Sequence, residues 1–412
     1  MLGGVIISAL SRRLPPPLPS PASGGGIKGG GCAGKRGDMS GSAESDRFGK
    51  ADQVAVERGL AEFAASRPVI LTSRSESALI LPVDGLTDAM LAAFRRLCAP
   101  ARPYLLITAR RARALGLDAA GPTGLAVGEL YGAAVLLSLA ADQIPSRHFD
   151  RVATGETAGA AIALAKLARL LPALLVAPHS PNRTGADNVG FIRVPTHAVP
   201  LFRRAAMDSL VIAAETSVPL NIGFGARFVV FRDRLGGSPV AVIVGSPDFS
   251  QPVAVRLHSA CLTGDVFGSR RCDCGDQLRM ALKQLAQHGG GIILYLEQEG
   301  RGLGLANKIR AYALQESGLD TVDANTVLGF EDDERDYGIA VRMLQMLGCT
   351  RVRLLTNNPA KLEGLSAAGI DVSGRVPLQG PVHPDNRRYL AAKAMRAGHK
   401  LDHLLGTLSD KE

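Results

Sequence analysis

Between about residues 217 and 396 the sequence alternates short apolar runs with amphipathic segments, and this alternation restricts the fold more than any other feature. The apolar runs predict strands at Arg227–Arg232, Val240–Gly245, Gly291–Leu296 and Val352–Leu355. The segments between them predict helices at Asp276–His288, Leu303–Ser317 and Asp333–Leu347. Because strands alternating with helices are typical of α/β domains, we expect one over residues 217–400.

The chain before residue 217 divides into three parts. Residues 1–46 are rich in glycine and proline, and their first acidic residue is Asp38, a composition that predicts a disordered tail. An alternative is that Met39 is the true start of the protein. Residues 47–177 are rich in alanine and leucine and alternate helix-like with strand-like runs, which predicts a second, smaller α/β domain. Residues 178–216 contain several Pro, Asn and His residues and are typical of a connector.

Charge and composition restrict the partners. The 412 residues carry 47 Lys and Arg against 38 Asp and Glu, a formal charge of +9, which suits a polyanionic ligand. Aromatic residues make up only 4% of the chain and Trp is absent, so a protein that stacks on nucleic-acid bases is disfavoured. No apolar run reaches the roughly 18 residues of a membrane-spanning helix. Six cysteines are too few for a disulfide scaffold and indicate a cytoplasmic enzyme.

Three of the six cysteines, Cys261, Cys272 and Cys274, lie within fourteen residues and are the strongest chemical signal. A Cys-x-Cys pair and one further Cys can supply three corners of a tetrahedral zinc site whose fourth position stays open for water, as in catalytic sites. Two alternatives remain: His258 closes a structural site, or the three thiols are simply buried. Cys349 lies far along the chain, where a place in the core is expected.

Two junctions between a strand and a helix carry residues suited to a nucleotide. The first is the turn Gln298–Gly304, in which Glu299 could accept hydrogen bonds from a purine and Arg301 could hold a phosphate. The second is Thr356–Lys361, in which Asn358 and Pro359 begin a helix whose free N–H groups could bind an anion. The alternatives are a plain glycine-rich turn and an ordinary capped helix with a solvated lysine.

A third segment, Asp332–Asp336, places four acidic residues around Arg335. By itself it is typical of the solvated first turn of a helix, where acidic side chains complement the helix dipole.

Taken together, these segments closely resemble GTP cyclohydrolase II over about residues 217–396, in unbroken order. The residues that carry the resemblance are Arg256–Asp265, Arg271–Gly275, Gln298–Arg301, Asn307–Gln315, Leu328–Phe330, Asp333–Asp336 and Leu354–Pro359. The resemblance implies a three-layer domain with a mixed sheet. It also implies hydrolysis of the imidazole ring of GTP, with release of formate and pyrophosphate, as the first step of riboflavin biosynthesis. A related enzyme of pyrimidine catabolism is the alternative.

The resemblance also implies roles for individual residues. Cys261, Cys272 and Cys274 would hold one zinc ion per chain, which activates the water that attacks carbon 8 of guanine. Arg335 matches the proposed nucleophile at the α-phosphorus, Asp333 the proposed proton acceptor, and Tyr312 an active-site tyrosine. The GTP contacts would be Arg256, Leu257, His258, Ser259, Gln277, Glu299, Gly300, Arg301, Thr321, Thr356 and Lys361. Mg²⁺ would accompany the phosphates, and a homodimer is expected.

Two positions depart from the family pattern. Ala260 stands where many members carry Glu, and Glu297 stands where Arg or a similar residue is common. Ala260 leaves a contact to the nucleotide or to the metal surroundings in doubt, but not the class of reaction.

The N-terminal region resembles, more faintly, a degenerate 3,4-dihydroxy-2-butanone 4-phosphate synthase. The segments that match in order are Val56–Leu60, Ile80–Pro82, Leu106–Thr108 and Ala161–Pro172. The acidic magnesium loop of that enzyme is replaced by Thr72–Ala78, in which only Glu76 is kept, and its His-Thr-Glu motif falls on Thr157–Gly159. We therefore expect no synthase activity, and expect residues 1 to about 200 to be dispensable for ring opening of GTP.

Overall fold

A computed structural model describes residues 49–401, except 146–147, 181–189, 222–224, 235, 379 and 399. The disordered tail expected over residues 1–46, with the alternative start at Met39, lies outside these residues. The described part contains two seven-stranded mixed sheets, each with helices packed on both faces. The α/β class, the three layers and the mixed sheet expected for the C-terminal domain are confirmed. Among the described residues, no helix is long and apolar enough to cross a membrane.

The first sheet belongs to the N-terminal part of the chain. Its strands are β1 (Val69–Thr72), β2 (Ser77–Pro82), β3 (Tyr104–Ile107), β4 (Thr123–Ala126), β5 (Arg151–Val152), β6 (Ala173–Pro178) and β7 (Arg193–Pro195). Its helices are α1 (Ala51–Ala64), α2 (Asp88–Cys98), α3 (Ala109–Ala114), α4 (Ala133–Ala141), α5 (Thr157–Leu167) and α6 (Ala198–Asp208). The strand order is β5-β4-β3-β6-β2-β1-β7, and all neighbours are antiparallel except β1 and β7.

The second sheet contains the C-terminal strands. These are β8 (Val211–Pro219), β9 (Gly225–Arg232), β10 (Val240–Gly245), β11 (Val253–Ser259), β12 (Gly290–Leu296), β13 (Arg351–Leu355) and β14 (Asp371–Val376). The helices are α7 (Leu262–Asp265), α8 (Cys274–Gln287), α9 (Leu305–Glu316), α10 (Thr321–Val327), α11 (Gly338–Met346), α12 (Pro359–Ala367) and α13 (Arg387–Ala397). In the order β14-β13-β11-β12-β10-β9-β8, the first four strands are parallel and the others antiparallel.

This parallel half of the sheet positions the site. Strands β11, β12 and β13 are neighbours with one direction, so the residues that follow their carboxyl ends meet at one edge, where α/β sheets bind ligands. The turns after these strands carry the cysteine, Gln298–Gly304 and Thr356–Lys361 segments that the sequence singles out.

Two sequence expectations differ from the structure. The helix expected to begin at Asp333 begins at Gly338, because residues 333–336 bond to the neighbouring turn instead: Glu334 N donates to Arg301 O at 3.0 Å. The range 178–216, expected as a connector, contains β7, α6 and the start of β8. Alternating polar and apolar residues hid these short elements, although Val194 and Phe202 are fully buried.

Both faces of the N-terminal sheet are covered, one of them by α2, α3 and α4 together with residues of the C-terminal domain. Alternate strand residues such as Leu106 and Leu174 pack with α1, α5 and α6. The strand residues on the other face of this sheet, including Leu105, form a core with Ala311 of α9 and Phe330 after α10. One of the hydrophobic cores therefore contains residues of both domains, while each domain also has a core of its own.

Candidate active site

The three cysteines form one cluster at the carboxyl end of β11. Cys261 follows that strand by two residues, and Cys272 and Cys274 lie at the entry to α8. Their sulfur atoms lie within 4.8 Å of one another, and 3.7 Å separates those of Cys261 and Cys272. Shared hydrogen bonds between the thiols lower the pKa of Cys261 and raise those of Cys272 and Cys274.

Two glycines allow the cysteines to approach. A Cβ on Gly264 would lie 3.1 Å from the sulfur atoms of both Cys261 and Cys272, and one on Gly275 would lie 2.1 Å from the carbonyl oxygen of Gly264. Any larger residue at 264 would enter the space between the sulfurs, and at 275 it would separate α7 from α8. Glycine at both positions is therefore part of what assembles the cluster.

The thiol cluster suits a metal ion. A Zn–S bond of about 2.3 Å with tetrahedral angles separates two sulfur ligands by about 3.8 Å. The 3.7 Å between Cys261 and Cys272 matches this spacing. Among the described residues, these three cysteines are the one group of three or more His, Cys, Asp and Glu side chains close enough to hold a metal ion.

His258 does not join this cluster. Its Nε2 lies 3.1 Å from both carboxylate oxygens of Asp265, and its ring stacks on Tyr295 with centroids 5.5 Å apart. Burial lowers the pKa of His258, although Asp265 opposes this shift. The geometry therefore gives no support to a closed site in which His258 is the fourth ligand.

A buried lysine connects the thiols to the turn after β12. Lys308 Nζ donates to the sulfur of Cys261 at 3.1 Å, to Thr263 Oγ1 at 2.8 Å and to Glu299 Oε1 at 2.7 Å. Burial disfavours its charge, but the bonds to Glu299 and Cys261 outweigh this effect and raise the pKa of Lys308. Tyr312 lies one turn later on α9, and Lys308 Nζ is 5.6 Å from the centre of its ring. Lys308 and Tyr312 therefore share a face, as their spacing predicts.

The other end of the cavity is rich in buried cations. Arg256 donates to the carbonyl of Leu355 at 3.0 Å and to Gln277 at 2.5 Å, and Lys361 donates to the carbonyl of Leu257 at 2.8 Å. Burial lowers the pKa of Arg256 to about 10 and that of Lys361 well below its usual value. Because Lys361 is only 5% exposed, the alternative of a solvated lysine on a capped helix is wrong.

The start of α12 faces the same space. Asn358 caps the helix by accepting from Ala360 N at 3.0 Å, and Pro359 occupies its first turn, as the sequence predicts. Thr356 Oγ1 accepts from Asn358 N at 3.0 Å. A buried helix N-terminus beside Arg256 and Lys361 is an environment that favours anions.

Asp333 and Arg335 form a bidentate ion pair in the segment before α11. Arg335 Nε and Nη2 donate to the two oxygens of Asp333 at 2.8 and 2.5 Å. Although burial opposes both charges, the pairing raises the pKa of Arg335 and lowers that of Asp333. Arg301 reaches the same segment, since its Nη1 lies 3.3 Å from the carbonyl oxygen of Asp332. Arg301 itself has a φ of +61°, a left-handed conformation that is uncommon outside glycine.

One cavity collects nearly all of the residues predicted from the sequence. They are Arg256, His258, Ser259, Cys261, Cys272, Cys274, Gln277, Glu299, Gly300, Arg301, Tyr312, Thr321, Arg335, Thr356 and Lys361. Leu257 is buried in the core and contributes its carbonyl to Lys361, while Asp333 lines a neighbouring cleft behind Arg335. Four buried atoms of residues that line the cavity have no hydrogen-bond partner among the described residues: Arg256 Nε, His258 Nδ1, Ser259 Oγ and Gln298 Oε1.

The sequence reasoning missed a second cation beside the thiols. Lys393 of α13 donates to Asp273 at 2.7 Å and lies 4.3 Å from the centre of the Tyr389 ring. It is only 8% exposed, and although burial opposes its charge, Asp273 raises its pKa. Lys393 sits among basic residues that look solvated, so the local sequence contains no signal of its burial.

Comparison with known proteins agrees with the geometry. The family model of GTP cyclohydrolase II matches residues 212–377. A GTP cyclohydrolase-2 of Xylella fastidiosa is 40% identical over 369 residues, which cover 86% of this chain and 89% of that protein. A GTP cyclohydrolase-2 of Azotobacter vinelandii is 50% identical over 204 residues, 50% of this chain and 96% of that one.

A riboflavin biosynthesis protein RibBA of Bacillus mycoides is 55% identical over 194 residues, 47% of this chain and 49% of that protein. The Xylella alignment extends through most of both chains, so the likeness includes the N-terminal domain as well as the site. The resemblance predicted from the cysteine, glycine-turn and Thr-Asn-Asn-Pro segments is thus confirmed, and the chain belongs to the GTP cyclohydrolase II family.

Proposed function

We propose that this chain is a GTP cyclohydrolase II that catalyses the first step of riboflavin biosynthesis. It would open the imidazole ring of GTP and release formate and pyrophosphate, leaving 2,5-diamino-6-hydroxy-4-(5-phosphoribosylamino)pyrimidine. The observation that carries the proposal is one cavity with a thiol cluster at one end and buried cations beside a helix N-terminus at the other. A purine nucleotide fits this arrangement, because its base would lie near the thiols and its charged phosphates near the cations.

We propose that Cys261, Cys272 and Cys274 hold one Zn²⁺ per chain, since their spacing and chemistry suit that ion. When bound, zinc would act as a Lewis acid and lower the pKa of a water molecule toward neutrality. The buried ammonium of Lys308 balances part of the thiolate charge and fixes the position of Cys261.

The purine would lie between the thiols and the turn after β12. Glu299 is held by Lys308 and by Leu262 N, which donates to its Oε2 at 2.7 Å. A carboxylate fixed in this way can accept hydrogen bonds from the ring N–H and the amino group of guanine, which selects guanine over adenine. Tyr312 lies beside Lys308 and could exchange a proton with the opening ring.

The phosphates would lie at the cationic end. Arg256, Lys361 and the first N–H groups of α12 would bind the phosphate oxygens, and Mg²⁺ would accompany them. The charge on Arg335, which Asp333 stabilises, suits the α-phosphate. A charged guanidinium is not a nucleophile, so attack on phosphorus by Arg335 would first require a proton transfer to a group such as Asp333. The ion pair therefore favours stabilisation of phosphate charge as the first role of Arg335.

We also propose that the protein is a cytoplasmic homodimer without a nucleic-acid partner. Val266 and Phe267, in the loop between Cys261 and Cys272, are 68% and 75% exposed, and a second subunit would cover them. The alternative function, a related enzyme of pyrimidine catabolism, shares the thiol cluster. It would not require a phosphate-binding end in which Arg256 and Lys361 are both buried beside a helix N-terminus, which favours the nucleotide substrate.

One assay tests the proposed function. Purified protein is incubated with GTP and Mg²⁺, and formate, pyrophosphate and the diaminopyrimidinone are measured together. We expect all three in equal amounts, and ATP in place of GTP should give none. Absence of formate from zinc-loaded protein with GTP would reject the proposal, and turnover of a free pyrimidine instead would favour the alternative.

A further inference from the structure

We propose that the N-terminal domain holds the segment carrying Asp333 and Arg335 in place, and that Lys166 and Arg110 are positioning residues for the reaction at the phosphate. This inference rests on the proposed function. The segment concerned, residues 326–336, leads from the end of α10 to the start of α11 and is called the phosphate segment below.

The first contact is an ion pair with Glu334, the residue between Asp333 and Arg335. Lys166 Nζ on α5 lies 2.5 Å from Glu334 Oε1, and both side chains are less than one-fifth exposed. Glu334 also accepts from the backbone N of Glu331 at 2.9 Å and donates its own N to the carbonyl of Arg301. Because Glu334 stands between Asp333 and Arg335, fixing it restricts the backbone on both sides.

The second contact comes from α3. The guanidinium of Arg110 lies 2.6 Å from Glu331 and 2.7 Å from Asp332, so one cation binds two consecutive carboxylates. The carbonyl oxygen of Asp332 in turn accepts from Arg301, a predicted GTP contact. Arg110 therefore connects the N-terminal domain to the phosphate segment and, through Asp332, to Arg301.

Two buried hydrogen bonds anchor the start of the segment. Thr108 Oγ1 donates to the carbonyl of Gly329 at 2.9 Å, and Arg111 Nη1 donates to the carbonyl of Val327 at 2.9 Å. Arg111 is only 2% exposed and Phe330 only 1%, so this junction excludes water. Four side chains of the N-terminal domain thus contact the phosphate segment: Thr108, Arg110, Arg111 and Lys166.

These contacts speak against the expectation that residues 1 to about 200 are dispensable. The Azotobacter vinelandii relative has about half the length of this chain, which shows that a family member can consist of little more than the part it shares with this chain. In this chain the same segment packs on the N-terminal domain instead. Positioning matters because a displacement of about 1 Å at a reacting group can cost about 100-fold in rate.

The test uses full-length Lys166→Met, with Lys166→Arg as the conservative variant and Asp84→Asn as the matched control. Asp84 accepts from Arg310 at 2.7 and 3.0 Å across the same domain boundary, but it does not touch the phosphate segment. We expect kcat per zinc-loaded site to fall about 10- to 100-fold in Lys166→Met. KM for GTP should change far less, Lys166→Arg should recover most of the rate, and Asp84→Asn should keep the kcat of the unsubstituted protein.

Hydrogen–deuterium exchange of peptides covering residues 326–337 gives a second readout that does not depend on turnover. Exchange should be faster in Lys166→Met than in the unsubstituted protein and unchanged in Asp84→Asn. Arg110→Met provides the same comparison if Lys166→Met does not fold. Unchanged exchange and unchanged kcat in both lysine and arginine variants would overturn the inference. If the unsubstituted protein releases no formate, the proposed function fails, while exchange still decides whether the domain holds the segment.

Discussion

The side-chain nitrogen of Lys308 lies 3.1 Å from the sulfur of Cys261 and 2.7 Å from Glu299. One buried cation therefore connects the thiol cluster to the carboxylate that we propose recognises guanine. It lies on α9, a helix that also packs against the N-terminal domain. Helix α9 thus supplies contacts to the thiol cluster, to Glu299 and to the N-terminal domain.

Lys308→Met should impair both stability and substrate binding. Removing one partner of a buried ion pair typically costs about 3–5 kcal/mol, because the other charge stays buried alone. We expect a lower melting temperature and a KM for GTP raised about tenfold or more, since an unpaired Glu299 will turn away from the guanine site. Lys283→Met, an exposed lysine on α8, is the control and should change neither quantity. Unaltered KM in Lys308→Met would contradict the proposed role of Glu299.

Cys272→Ser should lose both the metal and formate release. The hydroxyl of serine is a much poorer zinc ligand than a thiolate, and two thiols cannot complete the site. Metal analysis of the purified protein should give one zinc per chain before the change and nearly none after it. Cys349→Ser removes a buried thiol of the core far from the cluster and should retain zinc. Active protein that contains no zinc would refute the proposed metal site.

The sequence predicted β9, β10, β12 and β13 of the C-terminal sheet because each contains closely spaced apolar residues, most of which the fold buries, whereas β11 and β14 were not predicted. Val240–Gly245 agrees at both ends, and the other three predicted strands agree to within two residues. Strand β8 gave no such signal, since its residues are almost all exposed. The three cysteines were recognisable because a Cys-x-Cys pair close to a third cysteine is typical of a metal site.

Contacts between distant parts of the chain could not be predicted from the sequence. The helix expected at Asp333 fails there because Glu334 bonds to Arg301 and Lys166, partners that local sequence cannot reveal. Lys361 and Lys393 were indistinguishable from surface lysines until the fold buried them. Burial of a charge is a property of the tertiary structure, so the sequence indicated Arg256 and Lys361 as ligand contacts but not that both are buried.

Arg335→Ala should abolish pyrophosphate release while leaving zinc bound, because Arg335 contacts Asp333 rather than the thiols. Asp333→Asn should reduce turnover about 10²- to 10⁴-fold if Asp333 exchanges a proton during the reaction. Arg351→Ala breaks an exposed ion pair with Asp371 and serves as the control, with activity unchanged. Full activity in either active-site variant would show that the family role does not apply at that position.

Binding of pyrophosphate should be accompanied by proton uptake at Lys361. Its folded-state pKa lies well below the usual value because of burial, so the folded protein binds fewer protons there than the unfolded chain. The stability contributed by this group therefore rises as pH increases from the folded-state pKa toward the unfolded value of about 10.4. A bound phosphate favours the charged lysine and raises its pKa again.

Calorimetry near pH 8.5, in two buffers that differ in ionisation enthalpy, measures this uptake directly. The binding enthalpy of magnesium pyrophosphate should differ between the buffers, and the difference should shrink in Lys361→Met. The same variant should lose part of the rise of melting temperature with pH between about 8 and 10. Identical binding enthalpies in both buffers for the unsubstituted protein would exclude proton uptake.

The N-terminal domain should not form 3,4-dihydroxy-2-butanone 4-phosphate from ribulose 5-phosphate. Glu76, the one acidic residue kept from the expected magnesium loop, accepts from the backbone N of Thr157 at 2.7 Å and so stabilises the start of α5. A Cβ on Gly155 would lie only 2.1 Å from Glu76 Oε2, which shows how closely the carboxylate packs there. Its charge is directed at the helix N-terminus, and among the described residues it belongs to no group of three or more potential metal ligands.

Glu76→Gln distinguishes a carboxylate that stabilises the start of α5 from one that binds a catalytic metal. It should lower stability by about 1 kcal/mol, as expected for weakening a charged contact at a helix N-terminus, and leave formate release from GTP unchanged. The full-length protein with ribulose 5-phosphate and Mg²⁺ should yield no more butanone phosphate than a blank without enzyme. Glu62→Gln, which weakens an ion pair with Arg67 on the outside of α1, controls for general loss of charge. Butanone phosphate above the blank, abolished by Glu76→Gln, would show instead that the carboxylate still binds a catalytic metal.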